Sequence, residues 1–202
     1  MEKLVKQVAW MFLAIGIITF ASCSKDDPTP EPPQEEVAKA KLTFVEVEWH
    51  GSHPHDVDNP ETVEIEFDRQ MSPVGNGHVD LDEGKTYRLI LTAYDSDGNE
   101  VQDEFVDDAD IHQAFLLGAP DGVLDYTYVD AQVGVTGYLH VLEATETGFT
   151  FNYVLRHLNV GVKSNITAAD WNNPNYTQFG GANDLNLKFD LHIVEGDGHG
   201  DH

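Results

Sequence analysis

Three histidines, His50, His53 and His55, share one short segment of this chain, and Asp56 follows them directly. Imidazole nitrogens together with a carboxylate suit Zn²⁺, Cu²⁺ or Ni²⁺, whereas Ca²⁺ and Mg²⁺ prefer shells of oxygen alone. Pro54 stiffens the segment, so less chain entropy is lost when an ion binds. We predict that this segment is the main metal site, with a solvated polar loop on an acidic domain as the alternative.

A second group of histidines closes the chain and is interleaved with acidic residues and glycines. Gly196, Gly198 and Gly200 give this end conformational freedom, so a site here would suit capture of an ion more than catalysis. Its candidate ligands are His192, Glu195, Asp197, His199, Asp201 and His202. A disordered polar tail is the alternative.

His112 and His157 stand in apolar surroundings. His112 follows an acidic segment and enters an apolar run, and His157 continues the core-facing alternation of residues 149–155. One interpretation is a hydrogen-bonded histidine at a strand end. The other makes both residues metal ligands, with Asp108 or Asp110 orienting an imidazole from behind.

Two further histidines are interpreted without a ligand role. His140 lies on an apolar strand phase and is expected to be a hydrogen-bonded core residue. His78 follows the glycine-rich residues 75–77 and is expected to be a solvated loop residue.

Alternating apolar and polar residues indicate that strands position these side chains. In residues 42–50, Val45, Val47 and Trp49 alternate with Glu46, Glu48 and His50, a period typical of a strand with one wet face. Similar patterns predict further strands over 61–68, 87–94, 112–117, 123–129, 137–143, 148–158 and 185–194. The sequence therefore predicts an all-β domain, an antiparallel β-sandwich of immunoglobulin-like build, with a small β-barrel as runner-up.

Two local features refine this prediction. If strands 42–50 and 61–68 pair, their wet faces bring carboxylates opposite carboxylates, which is unfavourable unless a cation screens them. In the long 159–184 connection, Asp170-Trp171-Asn172 is expected to open one short turn of helix.

The amino-terminal residues bear on location. Lys3 and Lys6 precede an apolar run over 8–20, and Cys23 is the one cysteine of the chain. Phe20-Ala21-Ser22-Cys23 resembles the lipobox of bacterial lipoproteins, which implies a signal peptide over 1–22 and a lipid on Cys23. Residues 24–27, Ser-Lys-Asp-Asp, resemble the acidic export signal of Bacteroidota outer-membrane lipoproteins. The implied location is the outer membrane, lipid-anchored and exposed at the cell surface.

The expected domain organisation follows from composition. Residues 23–40 contain the lipidated cysteine and a Pro/Glu-rich tether, which is too poor in large apolar side chains to fold. The β-sandwich is expected over 41–195, followed by a flexible His/Asp/Gly tail over 196–202.

Three segments of the domain resemble a group of small Bacteroidota lipoproteins without assigned activity. They are residues 110–117, which begin Asp-Ile-His-Gln, residues 155–157, Leu-Arg-His, and residues 180–189, which begin Gly-Gly-Ala-Asn-Asp. The chain departs from the group's pattern at residues 114–116 and 158–159. The resemblance implies a surface or periplasm-facing lipoprotein that works beside a TonB-dependent receptor.

Charge and motifs narrow the function. The formal net charge of −25 disfavours nucleic acid and anionic lipid headgroups as partners and favours cations. Because no nucleophile or phosphate-binding motif is recognisable, we predict a non-enzymatic protein without an organic cofactor. The predicted function is binding of zinc or copper as an accessory to outer-membrane uptake. The alternative is an adhesion, glycan-binding or protein-binding module that uses Trp171, Tyr176 and Phe179 of the 159–184 connection.

Overall fold

The computed structural model of the chain describes residues 36–51 and 53–196. The predicted signal peptide, Cys23, most of the tether, and His199 and His202 of the tail lie outside these residues. No helix among the described residues has both the length and the apolar character needed to cross a bilayer.

The described residues form a mostly β domain. Its strands are β1 (Lys39–His50), β2 (His53–Asp56), β3 (Thr62–Phe67), β4 (His78–Asp82), β5 (Thr86–Tyr94), β6 (His112–Leu117), β7 (Leu124–Tyr128), β8 (Thr136–Val141), β9 (Phe149–His157) and β10 (Ala182–Val194). One short helix, α1 (Gln102–Asp107), stands between β5 and β6. Three turns of 3₁₀-helix lie in the connection between β9 and β10, at Lys163–Asn165, Ala168–Asn172 and Tyr176–Phe179.

These strands form two sheets. One has the order β2-β1-β5-β8-β7, with β3 also pairing with β1, and the other has the order β4-β10-β9-β6. The two sheets remain separate in the described part of the chain, so the predicted sandwich is confirmed and the small barrel is not formed. All strand pairs are antiparallel except β4 with β10, which is parallel and departs from the predicted antiparallel arrangement.

The core lies between the two sheets. Leu42 and Phe44 of β1 are buried, as are Leu187 and Phe189 of β10, and the rings of Phe44 and Phe189 meet edge to face at 6.2 Å. Burial alternates along β10 from Leu185 onward, as its period-two pattern predicts. The intervening residues of β10 therefore point away from the core.

The structure of β1 and β3 corrects the expectation that their facing carboxylates need a metal ion to screen them. Glu64 lies opposite Thr43, and its carboxylate contacts the Lys41 ammonium at 2.8 Å. The carboxylates of Glu46 and Glu61 both contact Lys85, at 3.6 and 3.1 Å. Lysine side chains therefore screen these acidic residues, and no metal ion is needed there.

The connection between β9 and β10 contains the predicted short helical turn. Thr167 caps the 3₁₀ turn Ala168–Asn172 and shares a reciprocal capping box with Asp170. Trp171, on the same turn, is buried against Tyr126, with ring centroids 6.1 Å apart. The connection is thus packed onto the sandwich.

Candidate metal centres

The predicted main metal segment forms a hairpin. His50 pairs with His53 and Glu48 pairs with His55, so these four side chains lie on one face of β1 and β2. The rings of His50 and His55 are 5.3 Å apart, and His50 Nε2 lies 3.0 Å from the Glu48 carboxylate. Asp56, the fourth predicted ligand, is in an ion pair with Arg88.

The closest gatherings of ligand atoms lie elsewhere. Within residues 36–51 and 53–196, two groups bring three ligand atoms within 4.8 Å of one another, and neither includes the hairpin. We call His78, Asp80 and His192 the surface cluster, and His112, His157 and Asp184 the buried cluster. Both belong to the sheet β4-β10-β9-β6. The hairpin site stays a prediction.

The parallel pairing of β4 with β10 builds the surface cluster. His78 lies opposite Asp190 and Asp80 lies opposite His192, while the alternate residues Val79 and Leu191 enter the core. Two short polar stripes therefore lie side by side on the outer face of the sheet. The side chains of His78, Asp80 and His192 are 34%, 54% and 29% exposed.

The distances in the surface cluster match those around a shared ion. His78 Nε2 lies 3.0 Å and His192 Nδ1 lies 3.3 Å from the same Asp80 oxygen, Oδ1. Two ligands bound at 2.0–2.1 Å to a tetrahedral ion lie about 3.3–3.4 Å apart. Both distances to Asp80 Oδ1 therefore suit a shared ion, and the three ligand atoms lie within 4.8 Å of one another.

In the surface cluster, the imidazole nitrogen that faces away from Asp80 forms a hydrogen bond in both histidines. His78 Nδ1 donates to Asp190 Oδ2 at 2.6 Å, and His192 Nε2 donates to the Thr145 carbonyl at 3.0 Å. Such contacts fix the tautomer and the ring orientation of metal-binding histidines. They direct His78 Nε2 and His192 Nδ1 toward Asp80.

Neighbouring carboxylates also change the acidity of His78. Its hydrogen bond with Asp190, and then the one with Asp80, raises the pKa of His78 above its ordinary value. In the absence of metal, a proton therefore competes for His78 Nε2. Binding of an ion at this atom releases that proton.

The sequence predicted His192 as a ligand of the carboxy-terminal group, but it did not predict His78 and Asp80 as ligands. His78 was expected to be a solvated loop residue, yet it begins β4 and contacts two carboxylates. The signal that could have revealed the cluster is the pattern His-Val-Asp-Leu-Asp over 78–82. It alternates with the same period as Asp190-Leu191-His192 in β10.

The buried cluster stands where three strands meet. His112 begins β6 and pairs with His157, the last residue of β9, and their rings meet edge to face at 4.7 Å. Both share the inward phase of their strands, as their apolar surroundings predicted. The side chains of His112, His157 and Asp184 are 0%, 5% and 0% exposed.

A β-bulge places Asp184 in the buried cluster. The register of β10 on β9 shifts between Asn183 and Leu185, so Asp184 is the extra residue. A bulge turns a side chain away from the face that strict alternation would give it. Asp184 Oδ2 lies 3.5 Å from His112 Nε2, and Asp184 Oδ1 lies 3.9 Å from His157 Nδ1.

Arg156 holds the chain just before the bulge. Its guanidinium donates to the carbonyls of Gly180 and Gly181, both at 2.9 Å, and to Asn183 Oδ1 at 2.7 Å. Gly181 has φ +92°, and a Cβ there would lie 2.0 Å from the His157 carbonyl oxygen. The approach of β10 to the end of β9 therefore depends on both residues.

Other contacts fix His112 itself. His112 Nδ1 donates to the Asp108 carbonyl at 3.1 Å, so the expected orienting residue acts through its backbone. The ring of Phe105, from α1, lies edge to face on His112 at 5.2 Å. His112 Nε2 is thereby directed toward Asp184.

His140 is hydrogen-bonded as the sequence predicted, but it is not a core residue: it is partly exposed and alternates with the buried Leu139 and Val141. Its nitrogens lie 3.1 Å from the Thr86 hydroxyl and 3.2 Å from the Thr127 hydroxyl, and burial lowers its pKa. The aromatic residues of the alternative function also pack onto the domain. Tyr176 and Phe179 lie 5.4 and 5.9 Å from the ring of Phe115, while Trp171 is buried.

The fold and these groups define an all-β sandwich with two His/Asp clusters that can hold a metal ion. The chain matches no protein-family model, no curated protein and no solved structure.

Proposed function

We propose that this protein captures Zn²⁺ or Cu²⁺ at the surface cluster, as a lipid-anchored accessory to metal uptake across the outer membrane. The observation that carries the proposal is the approach of His78 Nε2 and His192 Nδ1 to one oxygen of Asp80, at 3.0 and 3.3 Å. Two imidazoles and one carboxylate suit these ions better than Ca²⁺ or Mg²⁺.

The surroundings of the surface cluster favour reversible binding. Three protein ligands leave at least one coordination position of a tetrahedral ion for water or for a ligand from another protein. All three side chains are partly exposed, so an ion can arrive and leave without opening of the fold. Reversible exchange is what a protein that passes metal to a receptor needs.

The overall charge supports the same function. A net charge of −25 attracts divalent cations toward the domain and raises their local concentration. In our proposal a lipid on Cys23 and the tether that follows hold the domain near the outer membrane. A TonB-dependent receptor would then be the partner that takes up the ion.

Isothermal titration of the full chain with Zn²⁺ at pH 7.5 tests the binding step. We expect a micromolar or tighter binding event at the surface cluster, and we expect this event to be lost in His78→Gln and in His192→Gln. His140→Gln is the matched control, because it removes a histidine of the other sheet and leaves the ligands in place. Full retention of binding in both cluster variants would overturn the proposal.

The role in uptake needs a second experiment. The protein is used to recover partners from outer-membrane extracts, with Zn²⁺ or with a chelator. We expect Zn²⁺-dependent recovery of a TonB-dependent receptor, and none with the His192→Gln variant. Equal recovery of the receptor with Zn²⁺ and with the chelator, and with the unsubstituted chain and His192→Gln, would contradict the accessory role. It would not contradict metal capture.

A further inference from the structure

The buried cluster has the same ligand types as the surface cluster but opposite access to solvent. We infer that His112, His157 and Asp184 bind a second, permanently held Zn²⁺ ion that fastens the ends of β6, β9 and β10 together. This inference does not depend on the proposed capture function, because it concerns other residues and a structural role.

The donor geometry carries the inference. Each oxygen of Asp184 faces a different imidazole, with Oδ2 toward His112 Nε2 and Oδ1 toward His157 Nδ1. One ligand atom from each of the three residues lies within 4.8 Å of the others. Two imidazole nitrogens and a carboxylate oxygen are ligands that suit Zn²⁺.

The separations between these donor atoms also suit a shared ion. The two nitrogen–oxygen distances are 3.5 and 3.9 Å. Charge-assisted hydrogen bonds between nitrogen and carboxylate oxygen measure about 2.7–2.9 Å. Ligands of one tetrahedral ion lie about 3.3–3.4 Å apart, so these atoms need smaller shifts to bind Zn²⁺ than to form a short ion pair.

Burial bears on how firmly an ion would be held here. The side chains of His112, His157 and Asp184 are 0%, 5% and 0% exposed, so an ion between them would be kept from bulk water. The carbonyl of Asp108 accepts from His112 Nδ1 and keeps Nε2 directed toward the ion.

The location explains what the ion would stabilise. The cluster joins the first residue of β6, the last residue of β9 and the bulge of β10, and α1 covers it through Phe105. An ion in this position would exchange slowly, since Phe105 and the strand ends must separate to release it. Slow exchange distinguishes this site from the surface cluster.

The test begins from the His78→Gln variant of the full chain, which lacks the surface cluster. After Zn²⁺ loading and brief treatment with EDTA, we expect one ion per chain to remain by elemental analysis. Prolonged treatment with EDTA should remove it and lower the melting temperature by roughly 5–10 °C. Adding Asp184→Asn, which keeps the side-chain shape, should abolish both the retained ion and the shift in melting temperature.

A second measurement keeps the inference falsifiable if Asp184→Asn fails to fold. Loading the His78→Gln protein with Co²⁺ should give the strong visible absorption of a tetrahedral site. The inference is overturned if the folded His78→Gln protein retains no ion and its melting temperature is the same with Zn²⁺ and with EDTA. That result would identify an imidazole–carboxylate cluster without metal. It would leave the capture function untouched, because Zn²⁺ titration of the unsubstituted chain reports on that function separately.

Discussion

The surface and buried clusters each consist of two histidines and one aspartate on the same sheet, yet their surroundings differ. In the surface cluster all ligands alternate regularly along β4 and β10, and solvent reaches them. In the buried cluster a bulge supplies the carboxylate, and the core and α1 exclude solvent. In our two proposals, similar ligands serve different roles according to access to water: exchange of an ion at the face of the sheet, and permanent binding at its buried end.

The largest predicted difference between the clusters is in stability. Asp184→Ala should lower the free energy of unfolding in EDTA by about 3–5 kcal/mol, because it leaves two buried imidazoles without their carboxylate. Asp80→Ala, the matched change in the surface cluster, should alter it by less than about 1 kcal/mol, since water screens the exposed contacts. Urea unfolding measures both. Equal losses would show that burial does not separate the clusters.

The sequence predicted one part of each cluster and missed another for a physical reason. Alternation in β10 indicated that His192 faces outward, and the core phase of β9 indicated that His157 faces inward. Asp184 could not be predicted because a bulge breaks the alternation on which such reasoning depends. His78 and Asp80 were missed because β4 is short and pairs in parallel with a strand distant in sequence.

The fold was more predictable than the sites. Most strands were recognised because one face of each is buried and the other is wet, a pattern that sequence displays directly. The hairpin shows the limit of spacing as a guide. His50, His53 and His55 do share a face of β1 and β2, but Asp56 forms an ion pair with Arg88, and among the described residues of the hairpin no three ligand atoms lie within 4.8 Å of one another.

The next largest effect is expected from Asp190, which lies behind His78 and should affect Zn²⁺ affinity. Asp190→Asn should weaken Zn²⁺ binding at the surface cluster by roughly 10–100-fold, because Asp190 orients the imidazole without contacting the ion. Asp125→Asn, an acidic residue of the other sheet, is the control for the change in net charge. Isothermal titration gives the affinities. Similar weakening by both variants would mean that long-range charge, and not orientation, explains the effect.

A smaller effect should appear in the pH dependence of the metal-free protein. Hydrogen bonds to Asp190 and Asp80 raise the pKa of His78 in the folded state. The stabilisation from these contacts is therefore fully present below the ordinary histidine pKa of about 6.5. It is lost as the pH rises through the higher folded-state pKa.

Unfolding by urea across this pH range, with EDTA present, tests the assignment to His78. The unsubstituted chain should lose stability relative to His78→Gln as the pH rises from 6 to 9. Zn²⁺ affinity should change in the opposite direction, increasing as His78 loses its proton. Parallel stability curves for the two proteins would show that His78 does not carry this pH dependence.

The smallest expected change in Zn²⁺ affinity comes from a substitution in the hairpin. It decides whether the ion binds at the hairpin predicted from the sequence or at the surface cluster. His55→Gln should lower Zn²⁺ affinity by less than about twofold, because among the described residues no three ligand atoms of the hairpin all lie within 4.8 Å of one another. His192→Gln, measured beside it, should abolish the same binding. If instead His55→Gln removes binding and His192→Gln does not, the hairpin rearranges around the ion. Capture would then belong to the loop that the sequence first indicated.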